Sequence, residues 1–319
     1  MSMKTLLPTA LAVTLLLVAG RGVAQPDAAC NRSCLNGYTD RYLSALLKHD
    51  PSTLPLSPLV RFTENSSAIK LGEAGLWKTT TAIDPSYKIY LVDELTSTAG
   101  FIGRIEENGV PVYLAMRLKI VDEAITEIET VVHRGSSNMR GNQAAEARPE
   151  FKVQAVGADK LPREDLIAIS GKYFDAIQQA DGNEAPFSMA CNRIENGRQM
   201  TNNPGGGPGG ATRPGAVDVT AMGCAEQLSY GTFDVIKSVT YRRPWVVDDG
   251  LGQAMWTAVF NVPGRINEPD ANGNRRSSMA PGSGPVVELF RIHNRQIQEI
   301  EAIFLPQLLP YGFDTGWDN

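Results

Sequence analysis

Leu35, Tyr38, Tyr42, Ala45 and Leu46 fall three or four positions apart, the spacing that lines one face of an α-helix, and DPSTLP at 50–55 ends the run. Leu166, Ile169, Tyr173, Phe174 and Ile177 draw the same stripe, closed by DGNEAP at 181–186. After each stripe the apolar period changes to that of strands. In the first half these are YKIYLVDE (87–94) and AGFIGRIEENGVPVYLAMRLKIVDEAITEIETVV (99–132), with a hairpin at EENG and a turn at VDEA. In the second half they are SVTYRRPWVVDD (238–249), AMWTAVFNV (254–262) and PVVELFRIHNRQIQEIEAIF (285–304). One helical layer on a long curved antiparallel sheet, in each half, predicts an α+β arrangement.

The halves also match residue by residue. YLSALLKHD (42–50) lies over YFDAIQQAD (173–181) at a shift of 131 positions, which also sets Glu64-Asn65 over Glu195-Asn196. YLVDE (90–94) lies over WVVDD (245–249) at a shift of 155, with Phe101 over Trp256 and Gly109 over Gly264. LKIVDEAITEIE (118–129) lies over FRIHNRQIQEIE (290–301) at a shift of 172. The order is the same and the shift grows, so the pattern reads as a tandem duplication whose second copy carries net insertions of 24 and 17 residues. NPGGGPGGATRPG (203–215) and PDANGNRRSSMAPGSGP (269–285) are the matching loops by composition. The expected organisation is a first domain over 30–135, a linker over 136–160, a second domain over 161–305 and a tail over 306–319, with Tyr311, Phe313 and Trp317 packed across one domain.

RYLSALLKHDPSTLPLSPLVRFTEN, a short segment ending in GLW and the long strands after it resemble the NTF2-like superfamily, which includes SnoaL-like polyketide cyclases and ketosteroid isomerases. The resemblance implies two tandem cone-shaped α+β barrels, each a curved sheet wrapped around helices with an apolar pocket inside. In ketosteroid isomerases a helix tyrosine donates to the oxyanion and a carboxylate on the following strand is the base. The matching positions are Tyr42 and Glu64 in the first copy, and Tyr173 and Glu195 in the second. A phenol can donate to a developing enolate while a carboxylate in an apolar pocket takes a carbon-bound proton. The acidic partner of that tyrosine has no match in the sequence, which sets this chain apart from the strict isomerase pattern.

Two further expectations concern the site. His133, with Arg134 beside it, ends the last strand of the first copy, where an imidazole can serve as acid or base; a surface linker position is the alternative. Trp77, Tyr90, Tyr173, Glu195 and Trp256 are candidate pocket-lining residues, and core packing is the competing role for the aromatics. The repeated Glu-Asn pair can instead be a turn set by the asparagine. Asn65 also begins an N-glycosylation sequon, as does Asn31.

Composition narrows the classes. The 319 residues carry a net charge of −5 without a basic cluster, which argues against a nucleic-acid partner. Lys4, the apolar run Leu6–Ala19 and Gly22-Val23-Ala24 read as a signal peptide over 1–24, with a retained anchor as the alternative and no membrane partner after cleavage. Export to periplasm or medium makes the four cysteines a disulfide set, with Cys191–Cys224 and Cys30–Cys34 favoured among three connectivities. The scattered histidines and lone CNRSC argue against a metal, and no P-loop, dinucleotide fingerprint, GxSxG or HExxH is present, so no cofactor is expected. The reading is an exported, cofactor-independent lyase or isomerase acting by proton abstraction on a small, partly apolar molecule. The alternative is a binding or assembly module built as an internal pseudo-dimer, as a monomer or homodimer.

Overall fold

A computed structural model describes residues 30–135, 146–206, 217–265, 269, 278–305 and 309–317. The signal-peptide segment and the glycine-rich stretch 207–215 lie outside them. The first half runs α1 (Arg32–Leu47), β1 (Leu56–Glu64), β2 (Ser67–Ala68), α2 (Leu76–Thr79), β3 (Thr80–Asp93), β4 (Thr98–Glu107), β5 (Val110–Val121) and β6 (Ala124–His133). The second runs α3 (Arg163–Gln179), β7 (Phe187–Glu195), β8 (Arg198–Gln199), α4 (Cys224–Ser229), β9 (Ser238–Asp248), β10 (Gln253–Val262), β11 (Gly282–His293) and β12 (Gln296–Phe304). Among the described residues, no helix is long and apolar enough to cross a membrane.

Each half forms a six-stranded sheet, ordered β2-β1-β6-β5-β4-β3 in one and β8-β7-β12-β11-β10-β9 in the other. The expected antiparallel sheet is corrected in one respect: β1 pairs parallel with β6, and β7 parallel with β12. Parallel pairing needs a long crossover, and nearly the whole of each half supplies it. Side chains alternate between the sheet faces, so Leu114, Met116 and Leu118 pack under α1 while Tyr113 and Ala115 face the other sheet. Both faces are covered, which explains why VYLAMRL reads as nearly continuous apolar sequence.

α1 starts at Asn31, whose side chain accepts the Cys34 N–H at 3.0 Å, and buries Leu35, Tyr42 and Leu46. α3 has no side-chain cap; Glu164 and Asp165 in its first turn favour the helix dipole instead. Cys30–Cys34 closes the first turn of α1, and Cys191–Cys224 ties β7 to α4. Both favoured pairings are therefore present.

The halves meet sheet to sheet. Ile89, Leu91 and Ile102 from the first half share one buried cluster with Val246, Met255 and Leu289 from the second, and Phe151 from the segment between them joins it. Gly100 makes room for Met255: a Cβ there would lie 2.7 Å from the Met255 Cε. Two ion pairs cross in opposite directions. Arg32 at the start of α1 grips Asp248, with Nη1–Oδ2 at 2.8 Å, and Arg163 at the start of α3 pairs with Asp93. Each aspartate also accepts a backbone N–H from the opposite half, Val92 to Asp248 at 3.0 Å and Val247 to Asp93 at 3.4 Å. Arg163 stands 131 positions after Arg32 and Asp248 stands 155 after Asp93, so the pairs obey the sequence shifts and make a self-complementary contact within one chain. The tail also crosses over: Trp317 stacks on Arg61 at 3.9 Å and donates to Thr63 Oγ1 at 3.0 Å, while Tyr311 is exposed.

Asp248 is fully buried, so Arg32→Met leaves its charge without a counter-ion. Because Arg32 itself is about a third exposed, the expected loss of unfolding free energy is about 2–3 kcal/mol, below the full cost of breaking a buried pair. Urea denaturation checks this, and an unchanged midpoint would count against a structural role for the pair.

Candidate active site

The described structure of the second half has a cavity of about 280 Å³. Its walls are Phe233, Ile236, Phe260, Val262, Phe304 and Leu305, and its polar groups are Tyr173 of α3, Glu195 at the end of β7 and Glu288 of β11. It is about twice the volume that houses benzene in an engineered cavity, so a ligand of one or two rings suits it. The strands place the polar groups by alternation. Arg193 and Glu195 are two apart on β7, and Glu288 stands on the β11 face that packs on α3 with Val286 and Phe290.

Glu288 is 2 % exposed, and its Oε2 has no hydrogen-bond partner. Burial, reinforced by the Glu195 charge, holds its carboxyl well above the usual carboxylate range, against the opposing pull of Arg193 and Tyr173. The shift favours the protonated form of Glu288. Burial likewise pushes the Tyr173 phenol upward, helped by the nearby Glu288, so it remains a neutral donor. Glu195 lies at ion-pair distance from the buried Arg193, Nε–Oε1 2.8 Å, without good hydrogen-bond angles. Arg193 also stacks on Phe233 at 4.6 Å and donates through Nη2 to Gln227.

The Glu-Asn repeat acquires a structural role in both halves. Asn65 and Asn196 adopt left-handed backbone conformations, with φ of 50° and 48°. Each side chain then continues the parallel ladder: Asn65 Oδ1 accepts Val132 N–H at 2.7 Å, and Asn196 Oδ1 accepts Phe304 N–H at 3.1 Å. The Asn65 amide of the sequon is therefore engaged in the sheet. Gly197, at φ 77°, follows, and the Tyr113 hydroxyl of the first half fills the space where a Cβ would sit.

In the first half the corresponding residues are packed differently. Tyr42 is fully buried with its ring edge on Trp77 at 5.3 Å, and its hydroxyl has no hydrogen-bond partner. Glu64 accepts the Leu76 N–H at 2.9 Å and pairs with Arg134 at 2.6 Å; Arg134 pairs also with Glu107. The space beside Glu64 is a more open groove lined also by Glu107, Thr79, Val110, Val112 and Arg134. His133 points the other way from Arg134, into the junction of the halves, with Nδ1 2.7 Å from Phe304 O. Burial lowers its pKa, so the neutral ring donates from Nδ1. Trp77 is core. Tyr90 donates to Asp40 at 2.8 Å on the outside of α1, and Trp256 donates to Ser170 at 2.8 Å within the helix–sheet layer. The structure brings Tyr173 and Glu195 together at one cavity and does not bring His133 to Tyr42.

Glu288 and Arg193 are the site residues that the sequence reading missed. Phe101 faces Met116 and Trp256 faces Glu288 in the ladders, while Phe62 faces Ile128 and Arg193 faces Ile300. Where the second half has Arg193 and Glu288, the first therefore has Phe62 and Met116. The available signal was a lone carboxylate inside the apolar run PVVELF.

A family model for a domain of unknown function, DUF8021, matches residues 159–304, which takes in Tyr173, Glu195 and Glu288 and every named wall of this cavity except Leu305. No curated protein sequence matches the chain. Solved structures similar to part of it include PrhC from Penicillium brasilianum, at 15% identity over 44% of this chain and 81% of that one, with a TM-score of 0.26. AclR from Streptomyces galilaeus, provisionally described as a hydroxylase, gives 11% over 45% and 80%, TM-score 0.28. A protein from Silicibacter sp., provisionally described as a polyketide cyclase, gives 12% over 44% and 89%, TM-score 0.28.

Because Glu288 has a raised folded-state pKa, the folded protein keeps a proton that the unfolded chain releases above about pH 4.3. Its cost to stability is absent below that pH and grows as pH rises. The Tm of Glu288→Gln relative to the native chain should therefore increase between pH 4 and pH 7. A difference independent of pH would remove the case for a protonated Glu288.

Proposed function

We propose that the chain is a tandem of two NTF2-like units whose second unit is a cofactor-independent lyase or isomerase. Its substrate is a small, partly apolar molecule with a carbonyl beside an acidic C–H bond. The observation that carries this reading is one apolar cavity walled by a phenol, a buried carboxyl with an unpartnered oxygen and an ion-paired carboxylate. A buried carboxyl that favours its proton beside an ion-paired carboxylate is a pairing suited to general acid–base chemistry. Glu195 takes the proton from carbon. Tyr173 and Glu288 donate to the oxygen on which negative charge develops, in a site from which the apolar walls exclude water.

The first unit supplies the wall against which the second is built. Its Tyr42–Glu64 pair is held by Trp77 and Arg134, so the base assigned to Glu64 on the sequence is assigned here to Glu195. The sheet-to-sheet contact supports a monomer with an internal pseudo-dimer. The two disulfides favour an exported, oxidising location.

2-Tetralone is a compact neutral ketone with acidic α-hydrogens and suits a cavity of this size. The expected result is protein-catalysed α-hydrogen exchange in D2O followed by NMR, slowed by about 10²–10⁴-fold in Glu195→Gln and unaffected by Glu64→Gln. If 2-tetralone binds and exchanges only at the buffer rate, proton abstraction at this site is excluded.

A further inference from the structure

We infer that Gln227 is a positioning residue for this site, holding the Arg193 guanidinium against Glu195 so that the carboxylate meets the substrate in one orientation. The inference rests on the proposed proton transfer and adds to it a residue outside the cavity. Gln227 is 1 % exposed and every polar atom of its amide is used. Its Oε1 accepts from Arg193 Nη2, while its Nε2 donates to Met200 O and Val219 O. These two carbonyls fix the amide from both sides of the stretch between β8 and α4, so the oxygen can point only at the guanidinium.

Arg193 needs such a holder. It is 1 % exposed, its Nη1 has no hydrogen-bond partner, and its contact with Glu195 has an ion-pair distance but poor angles. The bond to Gln227, the face of Phe233 on the cavity wall and the Tyr173 hydroxyl beside it orient it. α4, which carries Gln227, is stapled to β7, which carries Arg193 and Glu195, by Cys191–Cys224. Gln227 therefore sits on a tethered helix that stands between β8 and β9 as α2 stands between β2 and β3, and the first half, with Phe62 in place of Arg193, has nothing for such an amide to hold.

The charged and titratable groups that bear on Glu195 are Arg193 on its own strand and Glu288 of β11, with the Tyr173 phenol of α3 beside them.

The test is 2-tetralone α-exchange for Gln227→Met, together with the Arg193 Nε–Hε resonance in the NMR spectrum of ¹⁵N-labelled protein. The expected variant has kcat lowered about 10–100-fold with KM within about twofold, as for a misplaced catalytic group. Its Arg193 Nε–Hε resonance shifts or broadens. Unchanged kcat and an unmoved Nε–Hε resonance with only a lowered Tm make Gln227 a structural residue and overturn the inference. If Gln227→Met does not fold, Gln227→Glu, which keeps the length and the acceptor but draws Arg193 toward a second carboxylate, must show the same loss of kcat and the same shift; native values overturn the inference. A native protein that exchanges nothing refutes the proton-transfer reading itself, whereas the NMR resonance still reports whether Gln227 holds Arg193.

Discussion

Two sheets packed back to back are the constraint on which everything else in this chain depends. Ile89, Leu91, Ile102, Val246, Met255 and Leu289 are removed from water only because each half covers the other, and Met255 fits only because position 100 has no side chain. The crossed pairs Arg32–Asp248 and Arg163–Asp93 fix the register of this contact by tying the start of each helix to the end of a strand in the opposite half. An apolar face sets how much is buried; directional, buried charges set where. The His133–Phe304 and Tyr113–Gly197 contacts then extend the junction to the rim of the cavity.

On this common frame the two halves diverge at a few side chains. Tyr42, Phe62, Glu64 and Met116 in one half occupy the positions of Tyr173, Arg193, Glu195 and Glu288 in the other. Phenylalanine and methionine close the first set into core, with Trp77 against Tyr42. A guanidinium and a carboxyl cannot be buried in that way without partners, and the second set accordingly surrounds a cavity. On the proposed reading, one half supports and the other carries out acid–base chemistry.

Much of this was legible in the chain before any coordinates. The apolar stripes gave α1 and α3 within a few residues, the strand periods gave the hairpins at EENG and VDEA, and the four cysteines pair as favoured. Arg163 lies 131 positions after Arg32 and Asp248 lies 155 after Asp93, although nothing in a single sequence says that these residues meet crosswise. Parallel pairing of β1 with β6 was missed because pattern reveals strand faces and not strand neighbours. Tyr42 and Glu64 matched the resemblance as well as Tyr173 and Glu195 did. The difference lay in Trp77, Arg134, Arg193 and Glu288, residues distant in sequence whose roles arise only from packing. Glu288 was hidden in a run that reads as ordinary core strand.

The central claim is that a protonated carboxyl stands beside an ion-paired one in an apolar cavity of the second half. Infrared difference spectroscopy of the native chain against Glu288→Gln at neutral pH measures it most directly. The account predicts a protonated carboxyl C=O stretch in the native protein that disappears in the variant. A native spectrum with only carboxylate bands at that position would contradict it.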